Sequence, residues 1–274
     1  YPFAKRVFDV FELPAFVSVT AQQEPDPDFS TVAFPNPEEK GALDLAQHVA
    51  ERNSCNIILA NDPDADRLAV AESNKDGGSW TILTGDQIGA LLAHWLFQNM
   101  QTNDTVIAMC ASTVSSKLVA TMAKMEGFYF EETLTGFKWI GSTLANLHGQ
   151  PVPDQPGKTY RGVFCYEEAI GFCCGNVIFD KDGISAAAVL AQLACQVYNE
   201  GRTLHDQLQS LYDKYGEFVS NNGYYIVSDT SIAEPLLESL KGITKAGTYE
   251  IASARHLGKN GYDTTQPDGK PKLP

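Results

Sequence analysis

A short acidic motif, NDPDADR at residues 61 to 67, has residue types and a spacing that suggest chemistry. It places Asp62, Asp64 and Asp66 at alternate positions. Carboxylates held this close raise one another's pKa unless a cation neutralises them, and ligand sets made only of oxygen select a hard cation. Arg67 follows directly, and a guanidinium beside such a cation is suited to holding a phosphate oxygen. The motif therefore predicts a magnesium site next to a phosphate.

Two other interpretations of the acidic motif compete with the magnesium site. A calcium-binding EF-hand loop needs glycine at its sixth position and glutamate at its twelfth, where this chain has Arg67 and Ser73. That interpretation fails. A solvated acidic turn that binds nothing is the ordinary explanation of two alternating aspartates. The third aspartate, the proline at position 63 and the flanking apolar runs favour the metal site.

A second polar motif, TLTGFKWIG, occupies residues 133 to 141. Thr135 and Gly136 follow a predicted strand, and Lys138 falls in the first turn of the predicted helix. Backbone amides at a helix start, together with a hydroxyl and a lysine, can bind an anionic or polyhydroxylated ligand. An ordinary helix start remains the alternative explanation.

Two further motifs come later in the chain. YEEAIGF places Glu167 and Glu168 directly after an apolar run, and paired carboxylates can bind sugar hydroxyls or act as acid and base. DKDG places Lys181 beside a glycine that opens a long helix. That lysine can serve a phosphate, or the segment can be only a capped turn. In the competing interpretation of YEEAIGF, the two glutamates are exposed charges at a strand end.

The elements that must position these residues follow an alternating pattern. From residue 84 to about residue 198, strand-like runs alternate with amphipathic stretches, which predicts a layered α/β unit with a largely parallel sheet. The acidic motif falls between two strand-like runs, 55–60 and 67–73, and helices are predicted over 1–12, 37–53 and 113–127. Functional residues of such sheets collect at the carboxyl ends of the strands. The fold class expected is two α/β layered domains with mixed or largely parallel sheets.

Composition limits the classes of function. The 274 residues carry a net charge of −14, which would repel nucleic acid, and the longest apolar run is too short to cross a membrane. The six cysteines lie mostly in apolar runs without CxxC spacing, as expected for reduced thiols of a cytoplasmic protein. The chain has no GxGxxG after a strand and no GxxxxGK[ST], so dinucleotide and P-loop sites are disfavoured.

Taken in order, NDPDADRLAVAE, LTGDQIGALL, EETLTGFKWIG, YEEAIGF and DKDGISAA resemble the α-D-phosphohexomutase superfamily, nearest to its phosphoglucomutase-2 and phosphopentomutase branch. The resemblance implies a four-domain magnesium enzyme in which a phosphoserine of domain 1 exchanges a phosphoryl group with a sugar phosphate through a bisphosphate. The implied substrates are glucose 1-phosphate and 6-phosphate, or ribose or deoxyribose 1-phosphate and 5-phosphate, with a sugar bisphosphate.

The resemblance also implies a role for each matching residue. Asp62, Asp64 and Asp66 match the magnesium ligands, Arg67 an arginine beside the phosphoryl group, and Lys181 a lysine near the transferred phosphate. Thr135 and Gly136 match a sugar-contacting loop, and Glu167 a glutamate that binds sugar hydroxyls. Two departures stand out. Ala65 occupies a usual glycine position, and Ala169 replaces a serine of hexose-specific members, which leaves pentose or hexose preference open.

The resemblance covers nearly the whole chain but lacks the serine loop of domain 1 and the phosphate-binding loop of domain 4. We therefore expect residues 1–84 to form the end of domain 2, 85–218 domain 3, and 219–274 a connector toward domain 4. The isolated chain is expected to be inactive because it lacks the nucleophile. A glucose-1,6-bisphosphate synthase and a non-catalytic sugar-phosphate sensor are the alternatives to a mutase.

Overall fold

The computed structural model describes residues 1–74, 78–221, 223, 226–258 and 260–271. These residues form two compact units, Tyr1–Ser220 and Asn221–Pro274. The first unit combines an antiparallel sheet and a mixed sheet with helices packed against them. The predicted α/β fold class is confirmed. A domain boundary at residue 84 stays a prediction, since the first unit spans that position.

The acidic motif lies in the first part of unit 1, in a three-stranded antiparallel sheet. The strand order is β1-β2-β3, with Ala60 opposite Ala69 at the end of the hairpin that carries the motif. A small core of Leu43, Ala46, Ala50, Ile58 and Ala71 joins this sheet to the second helix. The elements in chain order are α1 (Pro2–Val10), α2 (Asp44–Arg52), β1 (Ile57–Ala60), β2 (Ala69–Ser73) and β3 (Trp80–Leu83).

The rest of unit 1 is a four-stranded sheet between helices. Its strand order is β5-β4-β6-β7, with the first three strands parallel and β7 antiparallel to β6. The elements are α3 (Gly85–Asn99), β4 (Thr105–Ser112), α4 (Leu118–Glu126), β5 (Tyr129–Thr133), α5 (Phe137–Leu147), β6 (Thr159–Glu167), β7 (Gly171–Cys174), α6 (Gly183–Asn199) and α7 (Leu204–Tyr215).

Helix α3 is positioned by its cap and by its apolar sides. Thr84 and Gln87 form a reciprocal capping box, which satisfies two backbone amides at the start of the helix. The helix packs against α6 and the strands β6 and β7, where Phe164, Tyr166 and Phe172 are fully buried. Burying one such side chain stabilises the fold by about 1.5–3 kcal/mol. The sheet thus supports the loops at its edge with a closely packed core.

Two predicted helices are shorter than expected. The helix predicted over 37–53 begins at Asp44, because Gly41 has a φ of +85°, which an α-helix does not accept. The helix predicted over 113–127 begins at Leu118. There the Ser115 and Leu118 amides donate to the side chains of Ser112 and Ser116, so local side-chain bonds replace the first helical turn.

Two short strands, β3 and β7, were not predicted, and each has only four residues. So short a run carries little periodicity. The apolar run in GYYIVS, residues 223 to 228, predicts one further strand, but positions 224 and 225 lie outside the described residues.

Among its described residues, unit 2 has one short α-helix and two two-stranded ladders. These are α8 (Ala233–Ser239), β8 (Lys245–Ala246) paired with β9 (Tyr249–Glu250), and β10 (Arg255–His256) paired with β11 (Tyr262–Asp263). Across the described parts of both units, no helix has the length and apolar character needed to span a membrane.

Candidate active site

The candidate site lies at the carboxyl edge of the mixed sheet, where strands β4, β5 and β6 end at Ser112, Thr133 and Glu167. Parallel strands bring their carboxyl ends to one edge, so loops distant in sequence meet there. The acidic loop between β1 and β2 reaches the same edge. Its Arg67 forms an isolated antiparallel bridge with Gly171, the first residue of β7.

The acidic loop is shaped by its own short hydrogen bonds. Asp62 accepts the Arg67 backbone amide at Oδ1 over 3.1 Å, and the Asn61 side-chain amide donates to the Arg67 carbonyl over 2.6 Å. Ala65 has a φ of +58°, in the left-handed region that favours glycine. This backbone angle gives a physical reason for glycine at that position in similar loops.

The loop is also held from outside by α6 and by the turn before β7. The Gly183 amide donates to the Ala65 carbonyl over 3.0 Å, and the Leu68 amide donates to the Ile170 carbonyl over 3.0 Å. A Cβ added at Gly183 would lie 2.1 Å from the Arg67 carbonyl oxygen. Only glycine allows α6 to start this close to the loop.

Two cations lie against the aspartates. Lys181 Nζ is 3.1 Å from Asp66 Oδ2, and Arg67 Nε is 3.7 Å from Asp62 Oδ2, which is too long for a hydrogen bond. Burial raises the pKa of Asp62, the Arg67 amide lowers it, and the neighbouring Asp66 carboxylate raises it further. Asp64 is exposed. Asp62 and Asp66 are therefore close to each other, with Asp64 at the outer side of the loop.

Lys181 joins three of the predicted motifs. Its ammonium contacts Asp66 and lies 5.7 Å from the centre of the Phe137 ring at the start of α5. A Cβ added at Gly171 would lie 2.9 Å from Glu167 Oε1 and 3.0 Å from Lys181 Cδ, so both side chains flank that glycine. Burial raises the pKa of Glu167, while Lys181 lowers it. The structure thus brings Asp66, Lys181 and Glu167 to one place.

The start of α5 faces outward. Thr135, Gly136 and Lys138 are exposed, and Gly136 has a φ of +101°. No side chain within the described residues caps this helix. Trp139, in the same turn, is 58% exposed, and its ring lies 4.0 Å from a Cβ added at Gly136. An accessible helix start with an exposed indole can hold a polar ligand with an apolar face.

Glu168 turns away from these groups. Its Oε2 accepts the Ser112 hydroxyl at 2.8 Å and lies 3.4 Å from the Ser115 hydroxyl. Both serines are buried, with exposed fractions of 1% and 3%. The two adjacent glutamates therefore have different surroundings, and only Glu167 lies beside Lys181.

Comparison with known proteins identifies the family. The model of phosphoglucomutase/phosphomannomutase α/β/α domain II matches residues 1–77, and the model of domain III matches residues 84–215. The chain belongs to the phosphoglucomutase/phosphomannomutase family. The predicted resemblance is confirmed, and the candidate site spans both matched domains of this family.

The relatives of this family member include two named enzymes. The whole chain aligns at 41% identity with 45% of human phosphopentomutase, and at 39% identity with 45% of glucose 1,6-bisphosphate synthase from Pongo abelii. The chain thus spans about half the length of these curated relatives. A phosphoglucomutase/phosphomannomutase family protein from Burkholderia thailandensis has a TM-score of 0.55 at 20% identity, over 77% of this chain and 40% of its own. That likeness supports the fold alone.

The acidic loop of this family member has the donor chemistry for a hard cation. Among the residues that the structure describes, no group of three histidine, cysteine, aspartate or glutamate side chains is arranged to hold a metal ion. Asp66 Oδ1, however, is buried and has no hydrogen-bond partner. A buried carboxylate oxygen without a partner is costly unless a cation or donor reaches it. The oxygen donors therefore fit magnesium chemically.

Two residues of this family member near the site were not among the predicted site residues. Glu38 is exposed, yet partial desolvation raises its pKa, the Arg67 charge lowers it and the Glu168 charge raises it. Nothing in its local sequence marks it. Asn61 was not predicted either. Its position directly before Asp62 could have indicated it, because asparagine side chains commonly hydrogen-bond to nearby backbone.

Proposed function

We propose that the protein containing this chain is a magnesium-dependent sugar-phosphate mutase of the phosphopentomutase and phosphoglucomutase type. Its substrates would be ribose, deoxyribose or glucose phosphates, interconverted through a sugar bisphosphate. A phosphoserine in a part of the longer protein outside these residues would give and receive the phosphoryl group.

The observation that carries the proposal is the position of Lys181. Its ammonium lies 3.1 Å from Asp66 Oδ2, and its stem flanks Gly171 together with Glu167. One cation therefore stands between the acidic loop and the glutamate proposed to bind sugar hydroxyls. Phosphoryl transfer mainly requires positioning and charge neutralisation, and this arrangement supports both.

Each proposed role follows from the surroundings of the residue. Arg67 and Lys181 would neutralise phosphate oxygens, and the buried Arg67 Nε has no hydrogen-bond partner of its own. Thr135, Gly136 and Lys138 would receive the second phosphate or the sugar at the exposed start of α5. Glu167 would accept sugar hydroxyls. In this proposal Glu168 accepts the Ser112 hydroxyl and is assigned no contact with the ligand.

The metal role falls to the acidic loop. Asp62, Asp64 and Asp66 would hold magnesium, with the unpartnered Asp66 Oδ1 as one donor. When bound, the cation would supply charge neutralisation at the phosphoryl oxygens. Lys181 contacts Asp66 and Arg67 lies beside Asp62, so both side chains place positive charge at the same loop.

A turnover assay on the full-length protein tests the proposal. Conversion of ribose 1-phosphate and glucose 1-phosphate is measured with magnesium and after chelation, and we expect turnover to require the metal. Lys181→Met should lower kcat/KM about 100-fold, since a charge aimed at the phosphate is lost. Lys158→Met, just before β6 at the opposite end of the strand, is the matched control and should leave kcat/KM unchanged. No turnover of either substrate by the wild type would refute the mutase.

A bisphosphate synthase is the second candidate, favoured by the 39% identity to a glucose 1,6-bisphosphate synthase. The source of the enzyme's phosphate separates the two functions. Rapid phosphorylation of the intact protein by 1,3-bisphosphoglycerate would support the synthase. Phosphorylation by a sugar bisphosphate, with little from the glycolytic donor, would support the mutase. A protein that binds sugar phosphates but is phosphorylated by neither donor would be a sensor.

A further inference from the structure

Glu167 and Glu168 point in different directions because of their place at a strand end. Glu167, the last residue of β6, flanks Gly171 together with Lys181. Glu168 projects instead to the junction between β4 and α4, where its Oε2 accepts the Ser112 hydroxyl at 2.8 Å.

The serines that meet Glu168 are themselves fixed. Ser112 ends β4, inside the sheet, and its hydroxyl oxygen accepts the Ser115 amide at 3.2 Å. The Ser115 hydroxyl lies 2.8 Å from the Ser112 hydroxyl and 3.4 Å from Glu168 Oε2. Both side chains are almost fully buried. Glu168 is thus bound to a rigid part of the core, and loss of either partner would leave buried polar atoms unpaired.

The backbone around Glu168 is also constrained. A Cβ added at Gly85, the first residue of α3, would lie 1.9 Å from the Glu168 carbonyl oxygen. Two residues later, Ile170 has a φ of +54°, an unfavourable angle for a β-branched residue. Such a turn persists only where its surroundings hold it. Glu168, whose side chain is bonded to Ser112, lies two residues before Ile170 in this turn.

We infer that Glu168 is a positioning residue, which, through its bonds to Ser112 and Ser115, fixes the direction in which Glu167 meets the sugar. This inference rests on the proposed sugar-phosphate mutase. It assigns the two adjacent glutamates separate tasks. Glu167 contacts the substrate, and Glu168 acts only through Glu167.

A double-mutant cycle on the full-length protein tests this role. Glu168→Ala should lower kcat/KM for ribose 1-phosphate about 10- to 100-fold, because a shift of about 1 Å at a binding group has effects of that size. Because Glu168 acts through Glu167, the same change in a Glu167→Ala background should add less than about 2-fold. Multiplicative effects of the two changes would overturn the inference.

Conservative variants separate positioning from general stability. Glu168→Gln keeps an acceptor oxygen for the serine hydroxyls, so kcat/KM should recover to within about 5-fold of wild type. Ser112→Ala removes the hydroxyl that donates to Glu168, so it should lower kcat/KM by a factor similar to that expected for Glu168→Ala. It takes the place of Glu168→Ala if that variant does not fold. Ser116→Ala is the matched control, because its hydroxyl accepts the Leu118 amide instead, and its kcat/KM should not change. Equal losses in the Ser112 and Ser116 variants would contradict the inference.

The same double-mutant cycle can be measured without turnover, from the calorimetric affinity of each variant for ribose 5-phosphate and glucose 6-phosphate. A wild type that binds but does not turn over, with a non-additive cycle, would refute the mutase and keep the positioning role. An active wild type with an additive cycle would refute only the positioning role. A wild type that binds neither sugar phosphate overturns both.

Discussion

Gly183→Ala tests how closely α6 must approach the acidic loop. The new Cβ would lie 2.1 Å from the Arg67 carbonyl oxygen and 2.5 Å from the Asn61 side-chain nitrogen. Ordinary contact begins at 3.4 Å, so helix and loop must separate by about 1.3 Å, the difference between 3.4 and 2.1 Å. That movement breaks or weakens the bonds from the Gly183 amide to Ala65 and from Asn61 to Arg67.

The expected cost follows from these losses. Two hydrogen bonds and the forced repacking, about 1 kcal/mol each, lower the free energy of unfolding by about 3 kcal/mol. Since the loop carries Arg67 and the aspartates, displacement by about 1 Å should also lower kcat/KM about 100-fold. Urea unfolding followed by circular dichroism gives the first quantity, and the coupled mutase assay of the full-length protein gives the second.

The control for this prediction is Gly242→Ala, where an added Cβ meets no atom within 4 Å. Its free energy of unfolding should change by less than about 0.5 kcal/mol, and its activity should be unaffected. If Gly183→Ala behaves like this control in both assays, the close approach of α6 to the loop is wrong.

Three further changes test other parts of unit 1. Ala65→Gly should stabilise the protein by up to about 1 kcal/mol in urea unfolding, because the left-handed φ of +58° strains alanine more than glycine; a loss of stability would contradict this. Glu72→Ala should destabilise it by about 3 kcal/mol in the same assay, since the buried carboxylate accepts two amides at the start of α7 and a tyrosine hydroxyl; a change below about 1 kcal/mol would count against it. The hydrogen bonds from Lys214 and Tyr215 hold the pKa of Glu126 below its usual range. The ionised Glu126 carboxylate therefore stabilises the fold above the unfolded pKa of glutamate, about 4.3. That stabilisation is lost as the pH falls through the lower pKa of the folded state. Glu126→Gln should therefore flatten the acid limb of a plot of unfolding free energy against pH, and an unchanged limb would refute that contribution.

Local sequence patterns predicted the elements that carry strong local signals. The amphipathic stretches from residue 84 onward predicted α3 and α6 correctly, and the helix predicted over 113–127 ends at Glu126 with Gly127 as its cap. Strands β3 and β7 were missed because pairing with β2 and β6, rather than periodicity, makes them strands.

The candidate site was predictable only as a set of separate motifs. The aspartates and Lys181 are far apart in sequence, and their contact depends on how close α6 comes to the loop, which is a tertiary property. The different directions of Glu167 and Glu168 depend on where β6 ends and on buried serines from another strand. No local pattern contains that information.

The backbone bonds around the acidic loop also decide where unit 1 can bend. Leu68 bonds to Ile170, Arg67 pairs with Gly171, and Gly183 bonds to Ala65, so three backbone contacts join the segment between β1 and β2 to the start of β7 and to α6. A hinge near residue 84 would have to break all three. The two sheets should therefore move as one body, with the aspartates, Lys181 and Glu167 keeping their spacing.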